Sequence, residues 1–250
     1  MKIAVAGGTG TVGRHVVDVV RERGHEAVVL SRSNGVDLVS GSGTAGALQG
    51  VAAVVDVTSK QTMSAEASAE FFTSVTRRLL AAEQEAGVGH HVALSIVGVD
   101  RVPHGYYAGK VAQEQLVESG AVPWTILRAT QFHEFAGQIY GQLKRGPVVA
   151  VPRMKSEPVA AREVAERLVE LATGAPAGRV PDLGGPQVES MTAMVRAYAH
   201  HTGKRGLIVE VPLPGGMGRA MRDGSLLTRA PADHGSLTYA TWLWLQRPTV

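Results

Sequence analysis

Cysteine is absent from the sequence, which excludes disulfides, thiolate metal sites and a cysteine nucleophile. Also missing is any run approaching the ~20 consecutive apolar residues that a membrane-spanning helix needs. The lysines and arginines form no stripe: apart from pairs such as Arg77-Arg78 and Lys204-Arg205 they are scattered, so the net charge of +3 carries no signature of a nucleic-acid surface. A secretory leader is not expected, because Met1 runs directly into apolar residues and a glycine turn. The expectation is a soluble cytoplasmic protein. Metal ligation is not expected either. Adjacent histidines, as at His90-His91 and His200-His201, alternate faces on a strand and fail to converge on a helix, and His133-Glu134 lacks the second histidine of H-E-x-x-H.

What remains is an ordinary globular composition, 44% hydrophobic and 19% charged over 250 residues, enough for one domain with an appended lobe. Apolar, β-branched runs bounded by glycines recur at 2–6, 26–30, 53–57, 91–97 and 124–127, with helical patterns between them. That alternation predicts an α/β fold: a doubly wound parallel sheet covered by helices on both faces. Helices are expected at 11–23, 65–86 and 106–118, each ended by a glycine. Beyond residue 127 the pieces shorten, with helices expected at 134–144, 161–172 and 191–201 and a strand at 148–151. The expected organisation is a dinucleotide-binding domain over 1–131 and a small C-terminal substrate lobe over 132–250, partly interleaved as one structural unit. The stretch 212–224, rich in glycine, proline and methionine, reads as a covering loop or a surface connection. Tyr239, Trp242 and Trp244 suit a terminal helix packed on the body or on a second subunit, which would make a homodimer.

The first strand leads into Gly7-Gly8-Thr9-Gly10-Thr11-Val12-Gly13. Gly7 permits the tight turn, Gly10 lets the backbone approach a pyrophosphate, and Gly13 allows close packing of helix on strand. Thr9, Thr11 and Val12 lie between them, where amides at the helix start face phosphate oxygens. Alone the pattern is weak; between a strand and an amphipathic helix it specifies a Rossmann-type dinucleotide site. A mononucleotide P-loop is disfavoured, since Arg14-His15 stand where Lys and Ser/Thr should follow. After the second strand the chain reads Ser31-Arg32-Ser33. With no carboxylate there for a ribose hydroxyl, and a guanidinium able to pair with a 2′-phosphate, NADP(H) is preferred over NAD(H). Asp37-Leu38 falls where a loop can contact adenine, and Thr58-Ser59 falls near the expected ribose.

Tyr106 and Lys110 are spaced i and i+4 and so share a helix face. An ammonium beside a phenol lowers its pKa and can bind the nicotinamide ribose, leaving the tyrosine to act as general acid toward a carbonyl, or as base in reverse. The accidental alternative, a surface helix pair, is common for Tyr-x-x-x-Lys.

Taken together, Gly7, Gly10 and Gly13, the segment LSIVGVDRVPHGYYAGKVAQEQL over 94–116 and WTILRATQFHEF over 124–135 make the chain similar to a short-chain dehydrogenase/reductase of the atypical, NmrA-like branch, also described as NAD(P)H-binding. The resemblance covers nearly the whole chain. It implies a Rossmann domain with a small C-terminal substrate lobe, NADP(H) across the strand ends, Tyr106 as acid/base and Lys110 as its partner beside the nicotinamide. It further implies a serine or threonine after the strand at 91–97 that bonds the substrate oxygen, for which Ser95 is the candidate. If Ser95 points into the sheet, that stabilisation must come from elsewhere. Gln131 and Phe132 are the implied substrate-side residues, with a core role as the alternative for Phe132. The resulting expectation is an NADPH-dependent oxidoreductase that reduces a carbonyl, quinone or related group on a small, fairly apolar molecule. An epimerase or dehydratase using bound NAD(P), and a redox-sensing regulator that binds NADP without turnover, stand as alternatives.

Overall fold

A computed structural model describes residues 1–246 and divides them into two compact units, Met1–Arg128 with Arg162–Pro181, and Ala129–Ala161 with Asp182 onward. The chain therefore leaves its first unit and returns to it. Along the chain, β1 (Lys2–Ala6), α1 (Gly13–Glu22), β2 (Glu26–Leu30), α2 (Thr44–Ala47), β3 (Ala53–Asp56), α3 (Ala65–Ala86), β4 (His90–Ile96), α4 (Tyr106–Ser119) and β5 (Trp124–Ala129) come first. They are followed by α5 (Phe135–Leu143), β6 (Lys144–Arg145), β7 (Val148–Pro152), β8 (Lys155–Ser156), α6 (Ala161–Thr173), β9 (Gly178–Arg179), β10 (Asp182–Gly184) and β11 (Glu189–Ser190). The last elements are α7 (Met191–His201), β12 (Leu207–Val211), α8 (Gly215–Asp223), β13 (Ala232–His234) and α9 (Tyr239–Leu245).

In the first unit the sheet runs β2-β1-β3-β4-β5, with β9 beside β5. β1 pairs in parallel with both β2 and β3, β3 with β4, and β5 with β9. A parallel order needs crossover helices, and the buried strands read as the near-continuous apolar runs that two covered faces demand. One face buries Ala4, Ala6 and Val54 against Leu48 and Leu79. α1 buries Val16, Val17, Val19 and Val20. Ser64 caps α3 by accepting the Ala67 N–H at 3.2 Å, and Gly87, the glycine stop expected from the sequence, ends it at φ +71°. α6 belongs to this unit as well, where Arg162 pairs with Glu22. The chain thus passes between the two units three times, at 128/129, 161/162 and 181/182.

The second unit holds two small sheets, β12-β7-β6 and β11-β8, and the parallel pair β10-β13. Its terminal helix α9 buries Tyr239, whose hydroxyl donates to Met194 O at 3.0 Å, and stacks Tyr239 with Trp242, both rings meeting the His133 ring at a tilt. Trp244 stays 78% exposed. Part of the stretch expected as a loop is α8: at Gly218 a Cβ would lie 2.0 Å from Leu213 O, so a residue that weakens the helix in sequence terms is required by its packing. Among the described residues no helix is long and apolar enough to cross a membrane.

Candidate active site

The glycine turn is built from close backbone approaches. Gly7 sits at φ +82°, and a Cβ there would lie 2.8 Å from Val57 O and 3.0 Å from Thr58 Cα. At Gly13 a Cβ would fall 2.1 Å from Gly7 O, so the first helical residue must be glycine for α1 to start against the turn. Gly10 N–H donates to Gly7 O at 2.9 Å, and Thr9 and Gly10 are exposed. The first amides of a helix have no partner within it. Here the N-cap residue is Val12, which makes no side-chain cap, and the first turn has no acidic residue. Arg14 N–H donates to Gly10 O at 3.2 Å, and the other amides at the helix start, beside an exposed glycine, fit a pyrophosphate. Thr58 adds a buried hydroxyl with no partner among the described residues.

Beyond β2, Arg32 opens a single turn, Arg32–Asn34, with its side chain exposed. The Ser31 and Ser33 hydroxyls stand 2.9 Å apart. Asp37 has its carboxylate turned back on Val39 N–H at 2.9 Å, and that bond holds the carboxyl below its usual range. Leu38 is partly buried against the cluster around Leu30 and Val54, so its side chain is engaged in packing.

Tyr106 is the first residue of α4. Its hydroxyl lies 3.0 Å from Ser59 Oγ, on the exposed segment after β3. Its backbone oxygen accepts from Ser68 Oγ at 2.7 Å, and its ring packs edge-on to Phe72 with centroids 5.6 Å apart. Burial pushes the phenol above its ordinary value, the Ser59 bond pulls against that rise, and the Asp56 charge adds to it.

Lys110 departs from the sequence reading. It is 3% exposed, and its ammonium donates to Leu94 O at 2.6 Å and to Gln113 Oε1 and stands 4.7 Å from the Phe72 ring centroid. Burial lowers its pKa to about 8, against the pull of the Asp56 and Glu114 carboxylates. The expected lowering of the phenol by this lysine is replaced by a rise through burial. The physical reason lies in helix α4, which packs so tightly on α3 that a Cβ at Gly109 would lie 2.2 Å from Ser68 Oγ. The side chain one residue on is held in that contact.

Ser95 also points inward. On β4 it shares a face with His91 and Ala93, and it is 3% exposed beside the Glu114 carboxylate. Glu114 is buried as well. Burial alone would raise its pKa, but bonds from Arg128 Nε and Nη2 at 2.9 and 2.6 Å, with the nearby Ser95 hydroxyl and the Arg128 and Arg179 charges, hold it below the usual range. The structure therefore groups Tyr106 with Ser59, and Ser95 with Glu114.

In the second unit, Gln131 Oε1 accepts from Ser156 Oγ at 2.9 Å, and half-buried Phe132 makes a parallel bridge to Val159. The paired histidines do alternate. His90 Nε2 lies 2.8 Å from Thr125 Oγ1, while His91, wholly buried, bonds Glu83 at 2.9 Å from the other face of β4.

Asp56, Gln113, Phe72 and Gly109 escaped the sequence reading. Only Gly109 left a signal, since a glycine inside a helix costs ~1 kcal/mol relative to alanine and implies a close neighbour.

The chain belongs to the NAD(P)H-binding family, which residues 7–174 match. The fold is shared with a short-chain dehydrogenase/reductase superfamily protein from Agrobacterium tumefaciens with bound NAD, at TM-score 0.68 and 20% identity over 98% of this chain and 95% of that one. An NADPH-dependent quinone oxidoreductase from Escherichia coli aligns at TM-score 0.66 and 16% identity, covering 97% and 98%. The UDP-glucose 4-epimerase of Thermus thermophilus, in complex with NAD, aligns at TM-score 0.69 and 20% identity, covering 100% and 94%. Among curated proteins, none matches this sequence.

Proposed function

We propose that this member of the NAD(P)H-binding family is an NADPH-dependent oxidoreductase that reduces a carbonyl, quinone or related group on a small, fairly apolar molecule. The observation that carries the reading is the Tyr106 hydroxyl bonded to Ser59, on the segment whose backbone at Val57 and Thr58 lies against Gly7 of the glycine turn. In this reading a phenol that keeps its proton at neutral pH stands near the turn that holds the dinucleotide.

In this reading Gly7, Gly10, Gly13 and the amides of Thr9, Thr11 and Val12 hold the pyrophosphate, Thr58 and Ser59 lie on the ribose side, and the exposed Arg32 with Ser31 and Ser33 receives a 2′-phosphate. Bound NADPH supplies the hydride. Tyr106 holds a proton at Oη and gives it to the oxygen that gains charge as the carbonyl is reduced, while Ser59 donates to the phenolate left behind. Ser95, beside Glu114, takes no part. Lys110 acts from beneath the helix through Gln113 and Leu94 O. Gln131 and Phe132, just past β5, are the substrate-side residues. The proposed location is the cytoplasm, and a second copy through α9 is the proposed partner.

The test is loss of NADPH absorbance across a panel of quinones and small carbonyls. Net, substrate-dependent consumption supports the reading. Turnover of a substrate with no net loss of cofactor would favour an epimerase or dehydratase, a reading prompted by the epimerase among the structural relatives. Tight cofactor binding with no turnover would favour a redox-sensing regulator, which the burial of the Lys110 ammonium also suits.

A further inference from the structure

Asp56 ends β3 with its carboxylate wholly buried, a placement that is costly unless donors face it. Two do. Thr58 N–H donates to Oδ1 at 2.9 Å, and Gln113 Nε2 donates to Oδ2 at 2.7 Å. The amide oxygen of Gln113 in turn accepts from the Lys110 ammonium, whose other acceptor is Leu94 O at 2.6 Å. Every contact in this chain sets a donor against an acceptor, so Gln113 has one useful orientation and its amide cannot rotate without facing donor to donor.

The geometry of the chain matters because of what hangs from its ends. The bond to Thr58 fixes the backbone immediately before Ser59. The bond to Gln113 reaches α4 two turns beyond Tyr106, on the same helix face. One carboxylate therefore joins the segment carrying Ser59 to the helix carrying Tyr106, whose hydroxyls lie 3.0 Å apart. Lys110 enters this chain only through Gln113, and Ser95, buried beside Glu114, takes no part in it.

We propose that Asp56 and Gln113 form a buried strut that holds the Ser59 hydroxyl on the Tyr106 phenol, which makes both of them positioning residues for Tyr106. The catalytic consequence rests on the reading of Tyr106 as a proton donor; the positioning itself does not require turnover.

The experiment uses the full chain with carbon-labelled tyrosine, and the Tyr106 ring resonance is identified by its loss in Tyr106→Phe. Ser59→Ala is expected to shift that resonance at neutral pH. Gln113→Leu is expected to shift it in the same direction, and to add nothing once Ser59 is alanine. Asp56→Asn, which keeps the acceptor for Thr58 but sets a donor against Gln113, serves as the isosteric second variant and should behave alike. A folded Gln113→Leu or Asp56→Asn whose Tyr106 resonance stays at the wild-type position would overturn the strut, as would a shift of equal size with and without Ser59. In turnover, Gln113→Leu is expected to lower kcat several-fold at unchanged KM for NADPH, again only where Ser59 is present. If no substrate in the panel turns over while the resonance coupling holds, the oxidoreductase reading fails and the strut stands.

Discussion

The Lys110 ammonium and the Phe72 ring lie 4.7 Å apart, and that same ring meets Tyr106 edge-on at 5.6 Å. The phenol and the ammonium thus share a neighbour between helices α3 and α4 in place of a bond to each other. Their spacing in sequence put them on one helix face, and the packing beneath that face decided where each polar end went.

Lys110 gives the stability of the protein an alkaline signature. The folded chain releases this proton near about 8, whereas the ordinary value is 10.5. Between those values the unfolded chain binds more protons, so folding is favoured as pH rises through the window, and below it the cost of the buried charge is constant. Denaturant unfolding of wild type minus Lys110→Met should therefore climb by up to about 3 kcal/mol from pH 8 toward 10.5. A difference that stays flat across the window would contradict the buried placement.

Glu83 and His91 make a second prediction. Burial alone would lower the His91 pKa, but the Glu83 carboxylate 2.9 Å away raises it above the ordinary 6.5. A raised histidine contributes stability that is complete below the unfolded value and is lost as pH climbs through the folded one. Glu83→Gln should drop the His91 titration below its ordinary position, read by histidine resonances against pH. An unchanged titration would show that the pair does not form.

Gly109 is expected to resist replacement. Alanine is the better helix former by ~1 kcal/mol, yet its Cβ would lie 2.2 Å from Ser68 Oγ and 2.6 Å from Phe72 Cδ2. Gly109→Ala should destabilise by about 1–3 kcal/mol in denaturant unfolding as α4 is pushed off α3. A stabilised variant would mean that the helices are further apart than described.

How much of this could be read in the sequence follows from range. β1 and β2 end where their apolar runs end, and the end of α3 was read from Gly87, because those signals are local. β8, β9 and β11 have two residues each, too few for any periodicity to show. α8 was hidden by its own glycines. In the site, the glycine turn was legible because its residues are consecutive. The strut was not, since Asp56 and Gln113 are 57 positions apart and nothing near either residue announces the other. The inward turn of Ser95 was the marginal case: counting by twos along β4 from His91 gives its face, but only the presence of Glu114 below shows what that face holds.

In the proposed reading Arg32 is the residue that sets a preference for NADPH. A charge-assisted bond to a 2′-phosphate is worth ~1.5–3 kcal/mol, so Arg32→Glu should weaken NADPH binding by about ten- to a hundredfold while affecting NADH far less. Calorimetric titration of both cofactors checks it, and equal losses for the two would remove the phosphate from the account.

The central claim is that Tyr106 gives the proton in a reaction whose cofactor is held elsewhere. Its most direct test is to measure NADPH affinity and kcat together in Tyr106→Phe, with the best substrate from the quinone and carbonyl panel. The account predicts wild-type NADPH affinity and a kcat reduced at least about a hundredfold. A kcat that survives the loss of that hydroxyl would contradict it.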